Sequence, residues 1–570
     1  MDIEASASVP LVAYFSMEIN LEPEIPTYSG GLGILAGDTV RAAADLGVPM
    51  VALSLVHRRG YFHQHLDEDG NQSEAPSPWS PEDMLEPVSP HISVVIEGRT
   101  VHAQAWRYMV RGIWGHEVPV YLLDTALAEN SDRDQILTDL LYGGDDHYRL
   151  RQEAVLGLGG VCLLRELGIT KDVCYHMNEG HSALLALALL EEQMASKGPE
   201  AVTDETVEAV RQECIFTTHT PVPAGHDRFP RDLVRQVLGQ RRAEVLRQAG
   251  CHVDQRLNMT HMALRFSRYV NGVSMRHDEV SSGMFPGYPV NAITNGVHAV
   301  TWTAPAFWAL YDKHVPEWRR DNYYLRYAVG IPLEEIRRAH GQAKKELLAL
   351  VKKRTGVALD KETMTIGFAR RATGYKRADL LFSDVDRLRS IARRIGPLQA
   401  IYAGKAHPRD QEGKNMIRRV FQAAAELRDS VPVVYLEDYD AALARLLCSG
   451  VDLWLNTPLP PHEASGTSGM KAALNGVPSL SVLDGWWIEG HVEGVTGWSI
   501  GDSVGTSSDS TVEAASLYDK LEQVILPLFY ERPEAYAQIM RNAIAINGSF
   551  FNTQRMVSQY VRNAYPAARG

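Results

Sequence analysis

VPLVAYFSM (9–17), SGGLG (29–33) and VPMVALSLV (48–56) open the chain with an apolar segment, a glycine-rich loop and a second apolar segment. Between the loop and the second apolar segment, Ile34 to Leu46 has the apolar spacing of an amphipathic helix, which we expect to end at Gly47. A strand, a loop, a helix and another strand are the unit from which parallel sheets with helices on both faces are built. The opening of the chain therefore predicts an α/β fold.

The same alternation of apolar and helical segments recurs along the chain. VCYHM (173–177) precedes a helical segment from about Ser182, and ECIFTTH (213–219) is a further strand. Residues 305–355 and the tail, 511–570, have a helical pattern. Between them lies a second strand series: TMTIGFA (363–369), LQAIYAG (398–404), VPVVYLED (431–438), VDLWLNT (451–457) and VPSLSVL (477–483). We predict two doubly wound Rossmann-like domains, residues 1–300 and 301–570, that face a central cleft.

Composition excludes several classes of protein. The 570 residues carry 57 Lys and Arg against 70 Asp and Glu, a formal net charge of −13, which argues against a nucleic-acid-binding surface. The five cysteines are scattered without C-x-x-C spacing, so neither a disulfide framework nor a cysteine zinc site is expected. His63 and His65 lack a suitably spaced partner, and we predict no catalytic metal. No basic segment followed by an apolar one opens the chain, and the apolar stretch Ala183 to Leu190 is too short to span a bilayer. We therefore expect a cytoplasmic protein that does not contact a membrane.

Polar motifs follow most of the predicted strands, where ligands of open parallel sheets bind. EASGTSGMK (463–471) joins a strand to a helical segment and places Lys471 near the helix start. Backbone N–H groups at a helix start bind anions, so one candidate ligand is a phosphorylated aldehyde cofactor held by this lysine as a Schiff base. The alternative is a surface lysine beside an ordinary glycine turn.

RRATGYKR (370–377) places four cations within eight residues at the end of another predicted strand. In an acidic chain this concentration of positive charge favours an anion site, because Arg and Lys form charge-assisted bonds to phosphate. The alternative is a solvated basic turn. SGGLG lacks the G-x-G-x-x-G spacing of dinucleotide sites and is by itself typical of a tight turn. His181 and His219 lie at strand ends and could bind sugar hydroxyls, although such histidines are more often structural.

Taken together and in this order, YSGGLG, MNEGHSALL, THTPVPAGHDRF, TNGVH, GYKR, GKA and EASGTSGMKAALNGV resemble the motifs of the α-glucan (glycogen, starch and maltodextrin) phosphorylases. The resemblance extends along most of the chain and is closest to the compact bacterial and archaeal branch. It implies the GT-B architecture of glycosyltransferases, pyridoxal 5′-phosphate as cofactor, and glucan, inorganic phosphate and α-glucose 1-phosphate as substrates or products. It also implies that a homodimer and allosteric control are possible.

The resemblance assigns a role to each matching position. Lys471 would carry pyridoxal phosphate, and the positions that hold its 5′-phosphate are Arg370, Thr467 and Ser468. Substrate phosphate would be bound by Arg371 and Lys376, with backbone N–H groups of Gly30 and Gly31. The positions that contact the sugar are His181, His219, Asn271, Tyr375, Glu463, Ser465 and Gly466.

The implied reaction is the reversible phosphorolysis of the non-reducing-end glucosyl unit, with retention of the anomeric configuration. Two phosphates in one cleft repel each other, and the cations at 370, 371 and 376 suit that demand. Two alternatives remain open. One is a nucleotide-sugar-dependent glucosyltransferase of the same architecture, which shares the cationic pair but needs no counterpart of Lys471. The other is a non-catalytic glucan-binding protein.

Overall fold

Two large sheets organise the protein in the computed structural model, which describes residues 9–197, 202–219, 226–501 and 509–566. The first sheet has the strand order β14-β13-β9-β8-β1-β2-β7-β6-β5, parallel from β14 to β7 and antiparallel from β7 to β5. Its strands are β1 (Leu11–Phe15), β2 (Met50–Leu55), β5 (Glu86–Ile96), β6 (Arg99–Arg111), β7 (Glu117–Asp124), β8 (Val173–Asn178), β9 (Cys214–Thr217), β13 (Tyr269–Gly272) and β14 (Asn291–Ala292).

The second sheet is parallel throughout, in the order β17-β16-β15-β18-β19-β20. Read along the chain this order is 3-2-1-4-5-6, that of a doubly wound nucleotide-binding sheet, and it reverses between β15 and β18. Its strands are β15 (Met364–Ala369), β16 (Leu398–Ala403), β17 (Val433–Leu436), β18 (Leu453–Asn456), β19 (Ser479–Val482) and β20 (Gly497–Ile500).

Two small antiparallel sheets complete the strands of the described residues. Their members are β3 (His63–Leu66) and β4 (Gln72–Ala75) in one, and β10 (Arg228–Pro230), β11 (His252–Val253) and β12 (Arg256–Asn258) in the other.

Alternate residues of the central strands explain why both faces of each sheet are covered. On β1, Ala13 and Phe15 pack into one hydrophobic cluster, whereas Val12 and Tyr14 pack into another on the opposite face. On β15, Ile366 and Phe368 belong to one cluster and Ala369 to a second. Because side chains alternate across a strand, a strand that is apolar throughout needs a hydrophobic layer on each side.

Helices supply those layers. Before residue 300 they are α1 (Gly31–Leu46), α2 (Pro81–Met84), α3 (Asp132–Gln135), α4 (Asp146–Ala154), α5 (Gly160–Glu166), α6 (Leu184–Lys197), α7 (Asp204–Glu213), α8 (Arg231–Leu238), α9 (Gln240–Gln248), α10 (Met259–Arg265), α11 (Met275–Met284) and α12 (Ala299–Trp302). After it they are α13 (Pro305–His314), α14 (Leu333–Thr355), α15 (Val385–Arg394), α16 (Gln411–Leu427), α17 (Ala441–Gly450), α18 (Ser468–Leu474), α19 (Trp487–Gly490), α20 (Ser510–Lys520), α21 (Leu526–Glu531), α22 (Pro533–Asn542) and α23 (Thr553–Asn563).

The predicted α/β class with large parallel sheets is confirmed. One detail of the opening unit was wrong: SGGLG was expected to be a loop, but α1 begins at Gly31 and includes its last three residues. The helix ends as expected, at Gly47, which has the left-handed conformation (φ 66°) that favours glycine. The antiparallel strands β5 to β7 and the edge strand β20 were not predicted.

The division of the chain at residues 300 and 301 stays a prediction. The last helix, α23, packs against α1, and Met556, Val557 and Tyr560 belong to a hydrophobic cluster of the first sheet. The end of the chain thus adds a segment to the first core; residues 567–570 lie outside the described residues. In the described ranges, every helix is too short or too polar to span a bilayer.

Candidate active site

A cavity of about 730 Å³ lies between the carboxyl ends of strands from the two sheets. The first sheet contributes residues that follow β1, β8 and β9, and the second contributes residues that follow β15, β16, β17 and β18. Fourteen of the fifteen residues predicted for the site line it: Gly30, Gly31, His181, His219, Arg370, Arg371, Tyr375, Lys376, Glu463, Ser465, Gly466, Thr467, Ser468 and Lys471.

Asn271 is the predicted residue that the structure does not bring to the cavity. It is fully buried, and its side-chain amide donates to the Tyr560 hydroxyl at 2.9 Å and accepts from Thr217 Oγ1 at 3.0 Å. Its contact with sugar stays a prediction. The asparagine that lines the cavity is Asn295, whose buried Oδ1 has no hydrogen-bond partner among the described residues.

Arg370, Lys376 and Glu463 form a buried charged cluster on the wall that the second sheet provides. Arg370 Nη2 donates to Glu463 Oε2 at 2.6 Å, and Lys376 Nζ donates to the same oxygen. Burial opposes ionisation of Glu463, but Arg370 and Lys376 overcome this opposition and lower the pKa of its carboxyl to about 2. Burial and the positive charge of Arg370 lower the pKa of Lys376 to about 7. Two cations thus share one carboxylate, which leaves positive charge for an incoming anion.

Lys471 projects from α18 into the same cavity. Its Nζ lies 3.6 Å from the centroid of the Trp302 ring, a cation–π distance, and makes no hydrogen bond or ion pair with a described residue. Burial lowers the pKa of this amine, and the nearby Asp38 opposes that shift. Asp38 also accepts a hydrogen bond from Trp302 Nε1 at 2.7 Å, which fixes the indole beneath the amine. A lowered pKa increases the fraction of the amine that is unprotonated and therefore nucleophilic.

Glu18 organises the glycine loop on the opposite wall. Its Oε2 accepts the backbone N–H of Ser29 at 2.6 Å and that of Gly30 at 3.2 Å, and its Oε1 accepts the Tyr142 hydroxyl at 2.8 Å. A Cβ at Gly30 or Gly31 would meet nothing within 4 Å, so a ligand can approach this backbone closely. The Gly30 N–H is already bonded to Glu18, whereas the Gly31 N–H belongs to the first residue of α1, which lines the cavity.

His181 and His219 are neutral imidazoles at the carboxyl ends of β8 and β9. Burial, together with Arg149, lowers the pKa of His181 to about 3, and its Nε2 accepts the Met17 N–H at 3.0 Å. Burial also lowers the pKa of His219 to about 3, and its Nε2 donates to Asn178 Oδ1 at 2.7 Å. Both neutral rings can contact the hydroxyl groups of a ligand without placing a positive charge in the cavity. Residues 220–225, which continue the His219 motif, lie outside the described residues.

Glu18, Asp38, Trp302 and Asp484 were missed by sequence reasoning. Trp302 follows the TNGVH motif by four residues, and Asp484 directly follows a predicted strand, so both had a local signal. Glu18 and Asp38 flank the SGGLG motif. In the described part of the chain, no group of three or more His, Cys, Asp or Glu residues is arranged to hold a metal ion.

Comparisons with known proteins agree with this geometry. A family model described as carbohydrate phosphorylase matches residues 239–494. The chain is 40% identical to the maltodextrin phosphorylase of Thermococcus litoralis, over 98% of the chain and 70% of that protein. It is 36% identical to the glycogen phosphorylase of Mycobacterium tuberculosis, over 100% of the chain and 72% of that protein. It is also 36% identical to the glycogen phosphorylase of Aquifex aeolicus, over 97% of the chain and 86% of that protein.

Proposed function

The chain belongs to the carbohydrate phosphorylase family, and we propose from this membership and from the charges of its cavity that it is an α-1,4-glucan phosphorylase. The enzyme transfers the non-reducing-end glucosyl unit of a glucan or maltooligosaccharide to inorganic phosphate and releases α-glucose 1-phosphate. The reaction is reversible and retains the anomeric configuration. The two sheets correspond to the two Rossmann-like domains of the GT-B architecture.

One observation carries the proposal: the buried Lys471 amine and the Arg370, Arg371 and Lys376 cations line one wall of a single cavity. Arg371 makes no ion pair with a residue in the described ranges, and Lys376 shares its one carboxylate with Arg370. A wall with this surplus of positive charge is suited to two phosphate groups at once, because each charge-assisted hydrogen bond contributes about 1.5–3 kcal/mol.

The residues of this wall fit pyridoxal 5′-phosphate as the cofactor. Lys471 supplies a buried amine free to bond an aldehyde, and Arg370 Nη1 and Ser465 Oγ are buried polar atoms without a hydrogen-bond partner among the described residues. Lys471 would hold the cofactor covalently, and its 5′-phosphate would be bound by Arg370, Thr467 and Ser468. When bound, the cofactor supplies a phosphate with a second pKa of about 6, which can hold or release a proton near neutral pH.

The remaining residues bind and orient the substrates. Arg371, Lys376 and the Gly31 N–H hold the substrate phosphate; its negative charge raises the pKa of Lys376 and keeps the ammonium protonated. Once a phosphate satisfies Arg370 and Lys376, the Glu463 carboxylate is available to accept a glucosyl hydroxyl. Tyr375, Ser465 and Gly466 line the same side of the sugar site, and the neutral His181 and His219 line the other.

Phosphate release from α-glucose 1-phosphate plus maltoheptaose, after reconstitution with pyridoxal phosphate, tests the proposal. We expect phosphate release, growth of the glucan, and an absorbance band of bound cofactor. A protein that stays colourless and inactive with saturating cofactor, but binds a nucleoside diphosphate, would instead be a nucleotide-sugar-dependent glucosyltransferase. The relatives do not favour that alternative, because phosphorylases match nearly the whole chain. The homodimer and the cytoplasmic location stay predictions.

A further inference from the structure

Asp484 is a buried carboxyl that the proposed reaction does not use. It follows β19, the strand next to β18 in the second sheet, and 3% of its surface is exposed. Its Oδ2 accepts the backbone N–H of Glu463 at 2.9 Å, and its Oδ1 accepts that of Gly485 at 3.0 Å. The carboxyl therefore holds the backbone of the residue that binds Arg370 and Lys376.

The two residues after Asp484 also contact the loop that contains Glu463. The Trp486 N–H donates to the Ser465 carbonyl at 2.8 Å. Gly485 has a φ of 56°, and a Cβ there would lie 2.4 Å from the same carbonyl oxygen, so only glycine permits this approach. The turn 484–486 thus contacts both ends of the segment 463–465.

Charged and titratable groups face Asp484 from the neighbouring loops. They are Glu463 after β18, and Tyr375 and Lys376 after β15. Burial and then the negative charge of Glu463 raise the pKa of Asp484 to about 7, while its hydrogen bonds and Lys376 oppose that shift. Asp484 therefore changes charge near neutral pH, next to the groups proposed to bind the glucosyl unit and phosphate.

We propose that Asp484 is a positioning residue of the glucosyl site, whose ionised carboxylate fixes the backbone of Glu463 and so directs the Glu463 side chain. This inference rests on the proposed function. The ionised form offers an acceptor oxygen to each of the two N–H groups, whereas the protonated form, like an asparagine, offers only one. The glucosyl site is therefore best ordered when Asp484 is ionised.

Binding of methyl α-glucoside to the cofactor-loaded protein tests this inference, because the ligand has no titratable group. We expect the affinity of the wild-type protein to rise as the pH increases through 7. At pH 8, Asp484→Asn should bind about tenfold more weakly, the value of one hydrogen bond to a charged group. Any pH dependence that the variant keeps belongs to the other groups that titrate near neutral pH, Lys376 and the phosphate of the cofactor. The matched control is Asp410→Asn, which removes a carboxylate that caps α16 after β16, three strands from β19 in the same sheet.

Thermal unfolding tests whether the pKa of Asp484 is raised in the folded protein. Because the pKa of Asp484 is raised in the folded protein, its contribution to stability is fully present below about pH 4 and is lost as the pH rises through about 7. Asp484→Asn does not ionise, so its melting temperature relative to wild type should be higher at pH 8 than at pH 5.5. A carboxyl whose pKa is lowered in the folded protein would give the opposite trend, with the greater loss at pH 8.

Equal affinity and the same pH dependence in wild type and Asp484→Asn would overturn the inference. If the variant does not fold, the wild-type protein still tests the inference, because an affinity for methyl α-glucoside that is the same at pH 6 and pH 8 contradicts the inference. A wild-type protein that binds no methyl α-glucoside and releases no phosphate from glucose 1-phosphate would contradict the proposed function itself, and the inference with it.

Discussion

The two walls of the cavity carry opposite charge. Among the described residues that line it, those before residue 300 include five acidic side chains and one basic one, and those after it include six basic and two acidic ones. The first group is Glu18, Asp145, Asp146, Arg149, Glu179 and Asp227, and the second is Arg370, Arg371, Lys376, Lys405, Arg409, Lys471, Asp440 and Glu463. An acidic chain thus gathers most of the positive charge of its cavity on one wall.

The walls also differ in how their charges are paired. On the first, Arg149 bonds both Glu153 and Asp227 at 3.0 Å, and Glu18 is bound by N–H and hydroxyl donors. On the second, Arg370 and Lys376 share Glu463. Buried charges need partners, so a wall with surplus cations gains most from an anionic ligand. This difference in pairing supports the proposed binding of phosphate at the second wall.

The strongest test of the comparison is Lys471→Ala. We expect the cofactor absorbance and phosphorolysis to fall below detection, because the amine that holds the cofactor is gone. The melting temperature of the cofactor-free protein should fall only slightly, since the loss of packing and of the cation–π contact with Trp302 is partly offset by removal of a buried amine without an ion-pair partner in the described residues. Lys405→Ala, on the same wall, is the control and should keep the cofactor band. An unchanged band in Lys471→Ala would show that another amine carries the cofactor.

Lys376→Met should lower turnover about 10³-fold, in the range observed when a preorganised donor to the transition state is removed. The side chain keeps its bulk but loses its charge, so the cofactor should stay bound and its absorbance unchanged. Steady-state rates and the absorbance spectrum, measured on one preparation, check both expectations. Near-normal turnover would remove Lys376 from the phosphate site and would weaken the contrast between the walls.

Arg371→Ala should raise the KM for phosphate, with a loss of about 10²-fold in kcat/KM, because one guanidinium with up to two charge-assisted bonds is removed. The KM for maltooligosaccharide should change less. Arg409→Ala removes the other exposed arginine of this wall and serves as the control. Equal effects of the two substitutions would mean that the wall attracts phosphate by its overall field, and salt would then weaken both variants alike.

Tyr142→Phe tests the acidic wall and should have the smallest effect. It removes the hydroxyl that donates to Glu18 at 2.8 Å, and we expect the KM for maltooligosaccharide to rise about fivefold to tenfold. The KM for phosphate should rise less, because Glu18 reaches phosphate only through the loop that offers the Gly31 N–H. Tyr61→Phe, which also lies at the cavity, is the control. A larger rise in the KM for phosphate than in that for maltooligosaccharide would contradict the contrast between the walls.

Much of the fold could be predicted because the central strands are buried on both faces. Strands such as β15 and β16 are mostly apolar and are buried along their whole length, and such runs between helical segments indicate a parallel sheet. The long strands β5 and β6 were missed since they are antiparallel, alternate between buried and exposed residues, and contain charged side chains. The helix start at Gly31 was missed because glycine has a low helix propensity.

The general position of the candidate site was predicted from the ends of the strands, and its individual residues from the motifs shared with the phosphorylases. Polar motifs that follow parallel strands meet at one edge of a sheet, so Arg370 and Lys471 could be assigned to one cavity. The hydrogen-bond partners of these and neighbouring side chains could not be predicted. Asn271 is bonded to Tyr560, 289 residues away, and Trp302 is bonded to Asp38, 264 residues away.

The amino-acid sequence is sufficient to predict the α/β class, the strands of the second sheet except β20, and the motifs that line the cavity, because the apolar pattern and the motifs are local properties of each segment. Three features are visible only in the tertiary structure. They are the wall that holds the surplus of positive charge, the packing of Trp302 against Lys471, and the hydrogen bond between Asn271 and the last described helix. These contacts join residues from distant parts of the chain, and they depend on how the two sheets face each other.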